Sequence, residues 1–171
     1  TGDLLDRVQE QDVVTFTGSA DTAAKLRSTP NLVRRSIPFN AEADSLNCAV
    51  LAPDVTPDDE EFDLFVKEIA REMTQKAGQK CTAIRRALVP ADRIDAVAAR
   101  LKERLAKTTV GDPRLDSVRM GALASQAQQA DVAERVATLR QGAEVVFGGG
   151  EGFAPVGDGI AQGAYFQPML L

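Results

Sequence analysis

Short β-branched runs alternate along this chain with stretches of helical periodicity, and that alternation limits the fold more than any other feature. Residues 12–17, DVVTFT, carry strand composition, and Gly18-Ser19 then turns the chain into ADTAAKLR, which reads as a helix. Residues 46–51, LNCAVL, form a second apolar run that ends at Pro53. A helix should follow it from Thr56-Pro57-Asp58-Asp59, where threonine can cap, proline suits the first turn and the acids favour the positive helix end. Phe62, Phe65, Val66, Ile69, Ala70 and Met73 recur at spacings of three and four, and Gly78 stands where such a helix commonly stops. Residues 83–90, AIRRALVP, read as the next strand, and Ile94, Val97, Ala98, Leu101 and Leu105 mark the next helix. Strand-then-helix order of this kind implies an α/β fold with a largely parallel sheet, because parallel neighbours need crossover connections.

Downstream, Val132, Val136 and Leu139 indicate a helix that begins near Ser125 and stops at Gly142, and AEVVFGGG reads as a strand with a glycine stop. The glycine-rich segment 148–163 is expected to be a surface loop. The 44% hydrophobic and 26% charged content of the 171 residues suffices for a folded interior. A net charge of −5 without a basic patch argues against a nucleic-acid partner. No apolar run reaches the length of a membrane span, and the first residues lack a signal-peptide pattern, so a soluble, cytoplasmic protein is expected.

Chemistry is limited by the absence of histidine, which removes Ser-His-Asp and Cys-His catalysis and every histidine-bearing zinc site. The two cysteines differ in setting. Cys48 lies inside an apolar run and reads as core filler, whereas Cys81 is bracketed by Gln79, Lys80 and Thr82 on the connection between a helix and a strand. Lys80, Arg85 and Arg86 could lower its pKa, since the thiolate is the nucleophile. Residue types and position leave two readings of Cys81 open, a reactive thiol or a small packed residue. The Gly18-Ser19 turn likewise suits an anionic group at a helix end, or is a plain structural turn.

Read together, six short motifs occur in order: Phe16-Thr17-Gly18-Ser19, Gly78-Gln79-Lys80-Cys81, VGDP at 110–113, MGAL at 120–123, GGG at 148–150 and YFQP at 165–168. In this the chain resembles the aldehyde dehydrogenase superfamily over essentially its whole length. The resemblance implies a three-layer αβα catalytic domain, 44–171, preceded by the tail of a Rossmann-like cofactor domain, 1–43. It implies Cys81 as nucleophile and Glu42, found by counting back 39 residues to NAEADSLN, as the general base. The family's E-L-G-G segment departs here to Glu42-Ala43-Asp44-Ser45, and Ala23 stands where a glycine is expected. Thr17, Gly18, Ser19 and Ala43 are the implied cofactor-binding positions, for NADP or NAD.

The EADSLN and KAGQKCTAIRR segments look like the aldehyde dehydrogenase half of the bifunctional ring-opening enzymes of phenylacetate degradation. That likeness implies a CoA-linked semialdehyde substrate, 3-oxo-5,6-dehydrosuberyl-CoA semialdehyde, a hydratase-like domain further along the parent chain, and a homo-oligomer built from dimers. No metal is implied. The opening Thr1 and the closing PMLL are expected to bound a piece of a longer protein, a poor dehydrogenase on its own. Three alternatives stand beside this reading: the semialdehyde dehydrogenase of benzoyl-CoA epoxidation catabolism, a CoA-acylating dehydrogenase, and a non-catalytic oligomerisation segment.

Overall fold

The computed structural model describes residues 2–149 and 153–171. The chain forms two compact units, the first ending at Ser45 and the second beginning at Leu46.

In the first unit the order is α1 (Leu4–Arg7), β1 (Val14–Gly18), α2 (Ala20–Arg27), α3 (Pro30–Arg34) and β2 (Phe39–Ala43). The strands pair in parallel, Val14 opposite Phe39 and Gly18 opposite Ala43. Side chains alternate across a strand, so Val14, Phe16, Phe39 and Ala41 share one face while Thr15, Thr17, Asn40 and Glu42 share the other. Ser19 caps α2, its Oγ accepting the Thr22 N–H at 3.2 Å. Buried Ala23, Leu32 and Ile37 supply the apolar interior. The buried Asn31 amide donates to the Leu5 and Val8 carbonyls at 2.8 and 2.9 Å, which satisfies it and ties α1 to α3.

The second unit runs β3 (Asn47–Val50), α4 (Glu60–Thr74), β4 (Ile84–Leu88), α5 (Ile94–Leu105) and α6 (Gln126–Leu139). β3 and β4 are parallel neighbours, with a register shift between Asn47 and Cys48. The apolar stripe of α4 meets that of α5, and Leu51, Phe62, Val66, Ile69, Val97 and Leu101 make the core. The expected helix after Thr56 begins only at Glu60. The reason is local: Asp59 turns its carboxylate back to accept the Thr56 N–H at 2.7 Å and the Thr56 hydroxyl at 2.8 Å, which makes a separate turn of residues 56–59. These bonds hold the Asp59 carboxyl below its ordinary pKa.

One expected strand is missing. Residues 143–149 of the AEVVFGGG segment form no strand; among the described residues Phe147 makes a single antiparallel bridge, to Leu170. The parallel pairing expected is found in both strand pairs, β1 with β2 and β3 with β4, which among the described residues are separate and accompanied by isolated bridges. Of the glycine-rich segment 148–163, residues 150–152 lie outside the described residues. The VGDP and MGAL motifs meet through the Val110–Met120 bridge, and Gly111 bridges Val156. A Cβ on Gly111 would stand 2.1 Å from the Val156 carbonyl oxygen, so close strand contact explains this glycine. Helix α6 starts as expected at Ser125, whose Oγ accepts the Gln128 N–H at 3.1 Å.

Candidate active site

Cys81 sits in a connection that three elements hold from different sides. Helix α4 ends at Thr74, and residues 75–78 continue as a 310 turn in which Lys76, Ala77 and Gly78 take φ values of 51°, 53° and 70°. Two of these are not glycine, so the backbone is strained there. Gly78 is required as well, since a Cβ would come within 3.0 Å of the Met73 carbonyl oxygen. A second turn follows at once, closed by the Ala83 N–H donating to the Lys80 carbonyl at 3.2 Å, and Cys81 occupies its first inner position. Ala83 is fully buried and anchors the far side of that turn.

Side chains then tie the connection to its surroundings. The Asn47 amide, at the start of β3, donates to the Cys81 carbonyl at 2.6 Å and reaches the Ala83 carbonyl at 3.4 Å. Gln79 accepts the Ala124 N–H at 3.0 Å, and Arg85 donates to the Gly78 carbonyl at 2.8 Å. Lys80 Nζ donates to Glu72 Oε1 at 2.6 Å and to Gln75 Oε1 at 2.8 Å. The Thr82 hydroxyl donates to Glu72 Oε2 at 3.3 Å. The hydrogen bond from Lys80, with its charge, keeps the Glu72 carboxyl below its ordinary pKa. Lys80 and Arg85, expected as sources of positive charge for the thiol, are thus engaged by Glu72 and by the Gly78 carbonyl respectively.

Both cysteines are exposed and neither is in a disulfide. For Cys81 this agrees with a reactive thiol; for Cys48 it overturns the reading as core filler. Burial along β3 alternates, with Asn47 and Ala49 partly buried and Cys48 and Val50 exposed, so apolar neighbours in sequence are not neighbours in space. Alkylation does not separate the two thiols by burial, so labelling of Cys81 needs a Cys48→Ala background.

The remaining implied site residues belong to the first unit. Thr17 pairs with Glu42 and Gly18 with Ala43 at the ends of β1 and β2, beside the start of α2. Glu42 is exposed on the polar face of the pair. A Cβ on Gly18 would lie 2.5 Å from the Phe16 ring, so Phe16 packing already accounts for glycine there. Ala23, in place of the expected glycine, is buried in α2.

Asp44 explains the departure from E-L-G-G. Its φ of 57° lies in the left-handed region that glycine enters without cost, and its Oδ1 accepts the Ala20 N–H at 3.1 Å. The Asp44 carboxylate thus takes the Ala20 N–H at the positive amino end of α2, so a dinucleotide phosphate at this helix end would have to displace or share that contact. The exposed Ser19 hydroxyl at the same turn donates to Thr22 Oγ1 at 2.8 Å, and rotating that O–H toward solvent would offer it to a dinucleotide phosphate. Asp44→Ala, which keeps the left-handed backbone but loses the amide contact, is expected to cost about 1–2 kcal/mol, and Asp44→Asn close to nothing. Urea unfolding of the full-length variants measures both; equal midpoints for the alanine and asparagine variants would exclude this role for the side chain.

Comparison with known proteins adds context to these positions. The profile of the Aldehyde dehydrogenase family matches residues 1–171. A protein of Aromatoleum evansii named 3,4-dehydroadipyl-CoA semialdehyde dehydrogenase is 57% identical over 169 residues, covering 99% of this chain and 33% of that protein. Betaine aldehyde dehydrogenase of Staphylococcus aureus, solved with NAD+, superposes with a TM-score of 0.81 at 25% identity, over 98% of this chain and 32% of the other. An aldehyde dehydrogenase C mutant of Pseudomonas syringae, solved with NAD+ and octanal, gives a TM-score of 0.75 at 26% identity, over 92% and 30%. The chain spans about one third of the length of the relatives it matches.

Proposed function

Because the chain belongs to the aldehyde dehydrogenase family, we propose that the protein carrying it oxidises a CoA-linked semialdehyde to the carboxylic acid, with Cys81 as nucleophile and Glu42 as general base. The observation that carries the substrate class is the 57% identity to the Aromatoleum evansii protein named for 3,4-dehydroadipyl-CoA semialdehyde.

In this reading the Cys81 thiolate bonds to the aldehyde carbon, and the carbonyl oxygen takes the negative charge as a thiohemiacetal forms. The Cys81 N–H is one donor for that oxygen, a type of contact that contributes about 3–4 kcal/mol to transition states. NADP or NAD, when bound, supplies the hydride acceptor; Thr17, Gly18, Ser19 and Ala43 would border it. After oxidation the acyl group is held on Cys81 Sγ as a thioester. Glu42 takes a proton from water, the water oxygen bonds to the thioester carbon, and the C–S bond breaks to return the thiol and release the acid. A carboxylate base meets the absence of histidine. Residues 1–43 then belong to a cofactor domain and 44–171 to the catalytic domain of a cytoplasmic homo-oligomer.

The relative's name points to a six-carbon adipyl chain, and the EADSLN segment to the eight-carbon suberyl substrate with a hydratase-like domain in the same protein. Aldehyde-dependent reduction of NAD and NADP by the full-length protein separates these. The six-carbon CoA semialdehyde is expected to exceed butanal in kcat/KM by about 100-fold or more, because binding energy from the CoA moiety is used at the reacting carbon. Parity with butanal would remove the CoA reading, a preference for the eight-carbon substrate would favour the second, and no reduction with any aldehyde would remove the activity itself.

A further inference from the structure

We propose that Glu72 is a positioning residue for the nucleophile, holding both chain neighbours of Cys81 with its two carboxylate oxygens. The inference rests on the reading of Cys81 as nucleophile and extends it to a residue nine positions upstream.

Glu72 lies in the last turn of α4, a helix whose Phe62, Val66 and Ile69 are buried in the core, so its backbone is fixed. Its side chain is only 12% exposed, unlike the solvated ion pairs that carry little weight. Oε1 accepts from Lys80 and Oε2 from Thr82, the residues immediately before and after Cys81. One planar carboxylate thus grips the turn at two points on either side of the thiol, while Asn47 holds the carbonyl of Cys81 itself. The chain between Glu72 and Cys81 passes through Lys76 and Ala77 in left-handed conformations. Strained backbone of that kind persists only where its surroundings over-determine it. Without the grip, residues 75–82 can relax and carry Sγ with them. A displacement of about 1 Å at a reacting atom costs up to about 100-fold in rate.

The proposal is about geometry rather than charge, and the variants separate the two. In Glu72→Gln the amide oxygen can still accept from Lys80 and the amide NH2 can donate to Thr82. Full-length Glu72→Gln is therefore expected to keep kcat within about threefold, while Glu72→Ala is expected to lose about 10- to 100-fold in kcat with little change in KM for the cofactor. Hydrogen exchange at residues 79–83 should quicken in Glu72→Ala and stay at the wild-type rate in Glu72→Gln. Equal losses of kcat in both variants, or unaltered kcat in a folded Glu72→Ala, would overturn the proposal. Should Glu72→Ala not fold, Thr82→Val removes one of the two grips alone; faster exchange with lowered kcat supports the proposal, and wild-type values of either overturn it. Cys81→Ala, run in parallel, reports on the nucleophile separately. If it keeps turnover the nucleophile reading fails, and the exchange rates still decide whether Glu72 holds the turn.

Discussion

Cys81→Ala in the full-length protein is expected to lower aldehyde oxidation by at least about 10⁴-fold, the scale on which removal of a covalent nucleophile acts. The second thiol of this chain, Cys48, lies on β3 rather than in the turn before β4 and is not placed to take over. Glu42→Gln acts at a later step. It should leave the first round of cofactor reduction fast, seen as a burst in stopped-flow absorbance, and then stall with the acyl group on Cys81. Mass spectrometry of the quenched Glu42→Gln protein should find the acyl adduct on the peptide containing Cys81. Cys48→Ala should oxidise aldehyde at the wild-type rate. Full turnover by Cys81→Ala would remove the covalent mechanism, and steady turnover by Glu42→Gln would assign the water-activating base elsewhere.

The second large effect is on stability. Phe62 is fully buried where α4 packs on α5, in the cluster with Leu51, Val66, Val97 and Leu101. Truncation to alanine removes the ring and leaves a cavity that the two packed helices cannot close, at a cost of about 3–5 kcal/mol. Leu64, two residues on along α4, is 47% exposed, and Leu64→Ala should cost under about 0.5 kcal/mol. Urea midpoints of the two variants give the comparison directly. A Leu64 variant as unstable as the Phe62 variant would mean that α4 turns a different face inward.

Those buried positions are legible in the amino-acid pattern, since spacings of three and four along residues 62–73 mark one face of α4. Helix α2 is legible to its ends for a similar reason: Ser19 is a good cap and Ala20–Arg27 contains no helix breaker. Where the pattern misleads, longer-range or side-chain-specific causes take over. The start of α4 moves because Asp59 bonds backwards to Thr56, a choice that composition does not record. α1 and α3, at 4 and 5 residues, are too short to show a period. Residues 143–149 include strand-forming types but, among the described residues, meet only the short segment at Leu170. In the site, the glycine and cysteine of Gly78-Gln79-Lys80-Cys81 stand out, whereas Glu72 and Asn47 do not, because their bonds join positions 8 to 36 residues apart. The change from glycine to Asp44 is visible as a departure; that the backbone there stays left-handed is not.

The pairing of β1 with β2 sets how this chain can change length over evolutionary time. The connection before α3, Ser28-Thr29, is a short turn where added residues alter little, whereas the one after it carries the buried Ile37. Inside β2 the arithmetic is one of parity. A single inserted residue between Phe39 and Glu42 would carry the carboxylate to the face shared by Val14 and Phe16, and a second would return it to its own face displaced by about 7 Å along the strand. Neither restores Glu42 opposite Thr17, so β2 tolerates substitution far better than insertion, and its residue count is a stricter hallmark of a working member than most of its letters.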